Sequence, residues 1–328
     1  MNGRAANEDN RERAVCTRST QRLQPVEPPR GSRHNFVGIL PGRPLWTRRK
    51  KRCLAPGEDM TAEGAAGFSE GDVQSAKLLY CQLAHALGRK LRLRQRAIST
   101  ACFFFNKFFS SRSMLEHDPL LVVATAVWIA SKVEECSTQA SRVIREMGEL
   151  GAGDGSSYTV ADLHACELTV LEAIKFDLII ANPYSVLSRI LAQADLRAHL
   201  GAEKTDCLVQ AAYFLLNDCF RCDLVLDHSP EILALGCALC ASLLEHAPIR
   251  HLLPEPASRN EREGVERVAA GLLALYERSQ QLGKGDLAAL HHRLLEARAA
   301  CRAQHALAAS SMTGDGAAAH SEPVVSVG

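Results

Sequence analysis

Sliding the chain along itself by 111 residues places Phe104-Phe105-Asn106 on Leu215-Leu216-Asn217, Phe109 on Phe220, Pro119 on Pro230, Leu121 on Ile232, Ala130 on Ala241 and Ser131 on Ser242. Each copy sets a proline 13 residues after its asparagine, and each has an uncharged apolar run of 13 residues, Pro119 to Ser131 in the first and Ile232 to Leu244 in the second. A helix that is apolar on every side must be surrounded by neighbours. These runs fall short of the roughly 18 residues that a membrane-spanning helix needs, so they are expected at the centre of a soluble helical core. The repeat therefore predicts an all-α chain of two tandem five-helix domains, residues 68–180 and 181–302, joined at about 177–182.

The start and stop signals agree with that division. Ser69-x-x-Asp72 has the form of a capping box ahead of the helical stripe Val73, Ala76, Leu79, Tyr80, Leu83 and Leu87. A second helix is expected over about 94–110. Asp118-Pro119 opens a third that runs to about 135, because proline fits a first turn whose N–H would be unpaired anyway. Val143, Ile144 and Met147 mark a short fourth helix, and a glycine-rich loop at 151–155 follows. Thr159-x-x-Asp162 caps a fifth helix that extends to about 175, and Asn182-Pro183 breaks the chain before the second series.

The net charge of +1 hides an asymmetry: residues 1–67 hold 13 Lys/Arg and 7 Asp/Glu, leaving 25 against 30 for the remainder. The basic excess belongs to an amino-terminal segment rich in Arg, Pro and Gly, which is expected to be a disordered tail, as is the Ala/Ser/Gly-rich stretch 303–328. Arg48-Arg49-Lys50-Lys51-Arg52 is either a compact cluster of the kind read by nuclear import receptors, which would put the protein in the nucleus, or a solvated charge run with no reader. Met60 could itself begin a chain that reaches the first helix within ten residues. The 12 cysteines sit mostly in apolar stretches and are read as reduced thiols.

Chemistry-bearing motifs are scarce. The chain lacks a nucleotide-binding glycine fingerprint, a phosphate-binding loop, a zinc-protease helix, a nucleophile elbow and kinase signatures. Cys219-x-x-Cys222 and Cys237-x-x-Cys240 approach zinc-ribbon spacing, but the second pair lies inside the apolar run, where cysteine behaves as a small hydrophobe. Phe103, Phe104, Phe105, Phe108 and Phe109 read likewise as a core helix. No cofactor, metal or catalytic residue is assigned to the chain.

One pair of charges stands apart. Leu163, Cys166, Val170, Leu171 and Ile174 line one face of the fifth helix, and Glu167 sits in the middle of it, which is costly unless paired. Lys132, at the end of the first apolar run, is its expected opposite charge. The 111-residue offset puts Leu243 in place of Lys132 and Arg278 in place of Glu167, so the fold does not require the pair. It is either a salt bridge closing the core of the first unit or a contact for a docked helix.

The paired helical units, the string Ala130-Ser131-Lys132-Val133-Glu134-Glu135, and Glu167-x-x-x-Leu171 followed by Phe176-Asp177-Leu178 resemble the cyclin family over about residues 68–282. Leu91 to Gln95, His117-Asp118-Pro119, Asn182-Pro183-Tyr184 and Asn217 to Leu224 resemble its cyclin C branch, the cyclins of the Mediator kinase module. The resemblance implies a non-catalytic subunit that activates a cyclin-dependent kinase, in company with other Mediator kinase-module subunits, and acts in RNA polymerase II transcription. Lys132 and Glu167 would hydrogen-bond around the kinase's αC helix over an apolar floor of Ile129, Val133, Leu171, Phe176 and Leu178. Lys77-Leu78-Leu79-Tyr80-Cys81 replaces the M-R-A-I-L docking patch of cell-cycle cyclins, and the Arg-rich start does not match the extra amino-terminal helix usual in cyclin C. Two rival classes remain. A module like general transcription factor IIB should bring a zinc ribbon and a basic folded region, against the two cysteines before residue 81 and the acidic body seen here. A kinase-free helical scaffold predicts that Lys132 and Glu167 pair with each other. Direct nucleic-acid and membrane contacts are not expected.

Overall fold

Proline and a side-chain cap start the same helix twice. In the computed structural model, α3 (Pro119–Val133) begins at Pro119 with the Asp118 carboxylate accepting from the Leu120 amide, and α10 (Pro230–Leu244) begins at Pro230 with Ser229 accepting from Ile232. The two helices are offset by the expected 111 residues at both ends, and both end alike. Cys136 N–H donates to the Ser131 carbonyl and Ala247 N–H to that of Ser242, each bond reaching back around a left-handed residue, Glu135 (φ 54°) and His246 (φ 47°). This is the closing turn that usually calls for glycine.

The structure describes residues 68–150, 158–283 and 286–314, with side chains to residue 303, all within one compact unit. The basic tail over 1–67, its Arg48–Arg52 cluster, Met60 and the glycine-rich loop at 151–155 lie outside the described residues. Those described contain twelve α-helices, one 3₁₀ turn and no strand. In the first half α1 (Glu70–Lys90), α2 (Gln95–Phe108), α4 (Ala140–Glu149) and α5 (Val160–Ala173) surround α3. Both predicted capping boxes form, Ser69 with Asp72 and Thr159 with Asp162. In the second half α6 (Pro183–Gln193), α8 (Ala202–Cys219) and α11 (Arg259–Gln281) pack on α10, with short α7 (Leu196–Leu200) and α9 (Leu224–Asp227) between them.

The second copy varies the first in one place for a visible reason. The stretch matching α4 contains Pro254 and Pro256, and it forms only a 3₁₀ turn at Arg250–Leu252 before α11 begins behind the Ser258 cap. Proline there removes amide donors and clashes with the preceding turn. The last helix, α12 (Asp286–Gly314), packs on α1 of the first half. Tyr80 Oη and His291 Nδ1 share a buried 2.8 Å hydrogen bond, Arg293 forks onto Asp72, and buried Arg298 donates to the Leu115 carbonyl.

The repeated asparagines mark the seam between the halves. Asn106 Nδ2 donates to the Phe220 carbonyl at 3.0 Å, and Asn217 Oδ1 accepts from the Tyr184 hydroxyl, which also bonds Ser99. Lys77, almost fully buried, reaches Asp223 at 2.9 Å. A polar side chain is worth burying where its partner lies on the other half, because a misplaced half leaves it unsatisfied.

Candidate functional site

The carboxyl-terminal end of α3 carries the lysine that the charge pattern singles out. Lys132 forms a salt bridge with Glu167 of α5, the partner its position predicts. Their side chains are 39% and 22% exposed, so the bridge lies at the margin of the fold. Such a pair contributes at most about 1 kcal/mol to stability. An intramolecular pair is what both the core salt bridge and the scaffold reading expect, so the pairing alone decides nothing about a partner.

Its surroundings say more. Lys132 Nζ lies 3.6 Å from the centroid of the Trp128 ring, one helical turn back, and His164 of α5 meets the same ring edge-on at 4.8 Å. The indole face is electron-rich and attracts the ammonium, so ring and carboxylate hold Lys132 from two sides. The charge pattern alone does not single out Trp128 and His164. An aromatic on an apolar helix reads as core, and Trp128 is indeed nearly buried. The i, i+4 spacing of Trp128 and Lys132 was the available signal. At the 111-residue offset, Trp128, Lys132, His164 and Glu167 become Leu239, Leu243, Leu275 and Arg278, so the whole cluster is peculiar to the first unit.

The apolar residues expected beside the pair divide by exposure. Val133, Leu171 and Leu178 are half-buried and Phe176 is 59% exposed. Ile129 is 2% exposed and belongs to the core, because the face of α3 that it occupies packs inward, so it can only support a surface from below. Leu168 and Ile179, which were not expected, stand exposed nearby in sequence, Ile179 at 90%. Lys175 (φ 61°) and Phe176 (φ 55°) are consecutive left-handed residues, and Phe176 N–H donates back to the Leu171 carbonyl at 2.8 Å. Such backbone costs of order 1 kcal/mol or more per non-glycine residue, and here it accompanies a large apolar ring left facing solvent.

Within the Lys132–Glu135 string, Glu134 serves the fold: it accepts from Thr100 Oγ1 at 2.8 Å and from Arg96 Nε at 2.6 Å. The cysteine pattern resolves into core packing. Cys219 and Cys237 are fully buried with sulfurs 3.6 Å apart, Cys222 donates to the Cys219 carbonyl, and Cys240 is half-buried. The bond with Cys237, together with burial, holds the Cys219 thiol well above its usual range, and burial also raises Cys222. Among the described residues no three His, Cys, Asp or Glu side chains gather as a metal site requires. Phe104, Phe105, Phe108 and Phe109 are buried as expected, while Phe103 is half-buried under Lys107.

Residues 75–179 match the cyclin N-terminal domain. The chain is 29% identical over 238 residues to Cyclin-C1-1 of Oryza sativa subsp. japonica, covering 71% of this chain and 88% of that one. It is 28% identical over 233 residues to the RNA polymerase II holoenzyme cyclin-like subunit of Yarrowia lipolytica, covering 66% and 81%. Among solved structures, a chain of the CAK complex of Chaetomium thermophilum bound to ATP-gamma-S superposes with a TM-score of 0.57 at 14% identity, covering 78% of this chain and 82% of that one, a likeness of fold. The matched domain runs from within α1 to just past the end of α5, and relatives named for cyclin C or as a cyclin-like subunit are similar to the chain over 66–71% of its length.

Proposed function

We propose that the chain is a regulatory cyclin subunit that binds and activates a cyclin-dependent kinase acting in RNA polymerase II transcription, in the nucleus, and that this kinase is the Mediator-associated one. The two cyclin boxes are assigned to 68–180 and 181–302. The observation that carries the proposal is the four-residue cluster of Trp128, Lys132, His164 and Glu167 beside the exposed, strained Phe176, present in the first unit and replaced in the second. Names of relatives such as RNA polymerase II holoenzyme cyclin-like subunit support the setting.

Lys132 and Glu167 supply a donor and an acceptor to the backbone ends of a docked kinase helix, over Val133, Leu171, Phe176 and Leu178, with Ile129 supporting from beneath. The subunit performs no chemistry. It binds the active αC arrangement better than the inactive one and so shifts the kinase toward the state with its Lys–Glu ion pair formed. A scaffold without a kinase is the second reading, which expects the intramolecular Lys132–Glu167 bridge that forms. The two separate when the protein is recovered from its own cells and bound kinases are identified. A cyclin-dependent kinase activated by wild type, and not by the Lys132→Ala, Glu167→Ala double variant, is the expected result. Recovery of no such kinase, or full activation by the double variant, overturns the proposal.

A further inference from the structure

The turn between α1 and α2 carries five cations in eight residues, Arg89, Lys90, Arg92, Arg94 and Arg96, on a body whose balance over 68–328 is acidic, 25 Lys/Arg against 30 Asp/Glu. The alternation Leu91-Arg92-Leu93-Arg94 sorts by face: Leu91 is buried and Leu93 packs against the core, while all five cations are exposed. The turn is built firmly. Arg92 is left-handed (φ 57°), its N–H donates to the Arg89 carbonyl at 3.0 Å, and the Leu93 N–H donates to Gly88 at 2.9 Å. A Cβ on Gly88 would lie 2.5 Å from Ile98, so α1 and α2 touch just before the turn.

Two of the five cations are spoken for: Lys90 reaches Glu149 at 2.9 Å, and Arg96 reaches Glu134 at 2.6 Å. Arg89, Arg92 and Arg94 have no carboxylate partner among the described residues. Arg94 and Arg96 also stand at the start of α2, which has no acidic residue in its first turn and no side-chain cap, whereas α1 and α5 open on acidic capping boxes. Cations at that end of a helix are disfavoured; Glu134 offsets Arg96, and no carboxylate among the described residues offsets Arg94.

We infer that this turn is a docking surface for a phosphorylated serine or threonine segment of a protein on which the bound kinase acts. The fit is by charge and shape. A guanidinium presents paired N–H donors that match a phosphoryl group bidentately, and a firm turn presents them with little left to order. An extended nucleic-acid backbone fits poorly, because carboxylates are interleaved with the cations, Glu134 beside Arg96 and both Glu146 and Glu149 beside Lys90. The identity of the segment rests on the proposed kinase function; the recognition of a phosphoryl group does not.

The test uses the full chain without a kinase and a fluorescent peptide carrying two phosphoserines, alongside its unphosphorylated twin and a DNA duplex. Wild type is expected to bind the phosphopeptide in preference to both. Arg92→Ala with Arg94→Ala should lose about tenfold in affinity with unchanged thermal unfolding, and the corresponding double Lys variant should recover only part of it. Replacing Arg48 to Arg52 by alanine should leave the preference intact. Equal binding of the unphosphorylated peptide, tighter binding of DNA, or undiminished affinity in the Arg92, Arg94 variant overturns the inference. A phosphopeptide preference that persists when the Lys132, Glu167 test fails removes the kinase reading and leaves the site.

Discussion

Lys132 is held by an aromatic face and a carboxylate at once, a richer setting than a spacing argument could supply. Because both charges of the bridge are partly exposed, a double-mutant cycle on Lys132 and Glu167 by urea unfolding should give a coupling of about 1 kcal/mol or less. A coupling of several kcal/mol would mean that the bridge closes the core and would weaken its assignment to a partner. The left-handed caps offer a second residue-scale test. His246 is exposed at φ 47°, so His246→Gly should be neutral or stabilising by up to about 1 kcal/mol, and His246→Val should destabilise by about 1–2 kcal/mol. Reversal of that order in thermal melts would contradict the cap. Lys132 and Glu167 could be paired from sequence because an unmatched carboxylate on an apolar face demands a partner. Ile129 could not be placed, since helical spacing does not say which side of an all-apolar helix faces its neighbours.

Among the elements, the starts of the central helices were legible to the residue, because proline and apolar run recur together, while the first ends at Val133 rather than about 135. The attachment of α12 to α1 was not. Periodicity shows that a helix has a face to bury and leaves its receptor open, and here much of the hold is polar: His291, Arg293 and Arg298. Burial works against ionisation of Asp72, yet bonds from Ser69 and the Arg293 guanidinium hold its carboxyl below the ordinary value of 3.8. A carboxylate with a lowered native pKa stabilises the fold above its unfolded pKa, and that contribution is lost as pH falls through the native one. The hold of α12 on α1 should therefore weaken only below about pH 4, and Asp72→Asn should remove that part of the pH dependence. Protease accessibility of α12 against pH reads this directly; an onset near pH 6 would assign the effect to histidine instead.

Across the whole molecule, the duplication explains both the likeness and the difference of the halves. The repeat preserves the central helices and their caps and lets the surfaces diverge, so the Lys132 cluster faces a set of leucines and an arginine at the matching positions. The seam is held by unlike means, including Lys77 with its side chain 6% exposed against Asp223 at 30%. Removing the acid strands a buried cation, whereas Lys77→Met removes charge and keeps volume. Asp223→Ala should thus cost about 1–3 kcal/mol, more than Lys77→Met, and the opposite ranking in urea unfolding would contradict the buried bridge. The central claim concerns the first unit alone, and the affinity of the chain for the cyclin-dependent kinase that the proposal assigns to it measures that claim. Titration calorimetry with wild type, Lys132→Ala, Glu167→Ala and, as a control in the second unit, Leu243→Ala is the decisive measurement. Losses of about tenfold or more for each of the first two variants with an unchanged control are predicted; wild-type affinity in Lys132→Ala and Glu167→Ala would contradict the account.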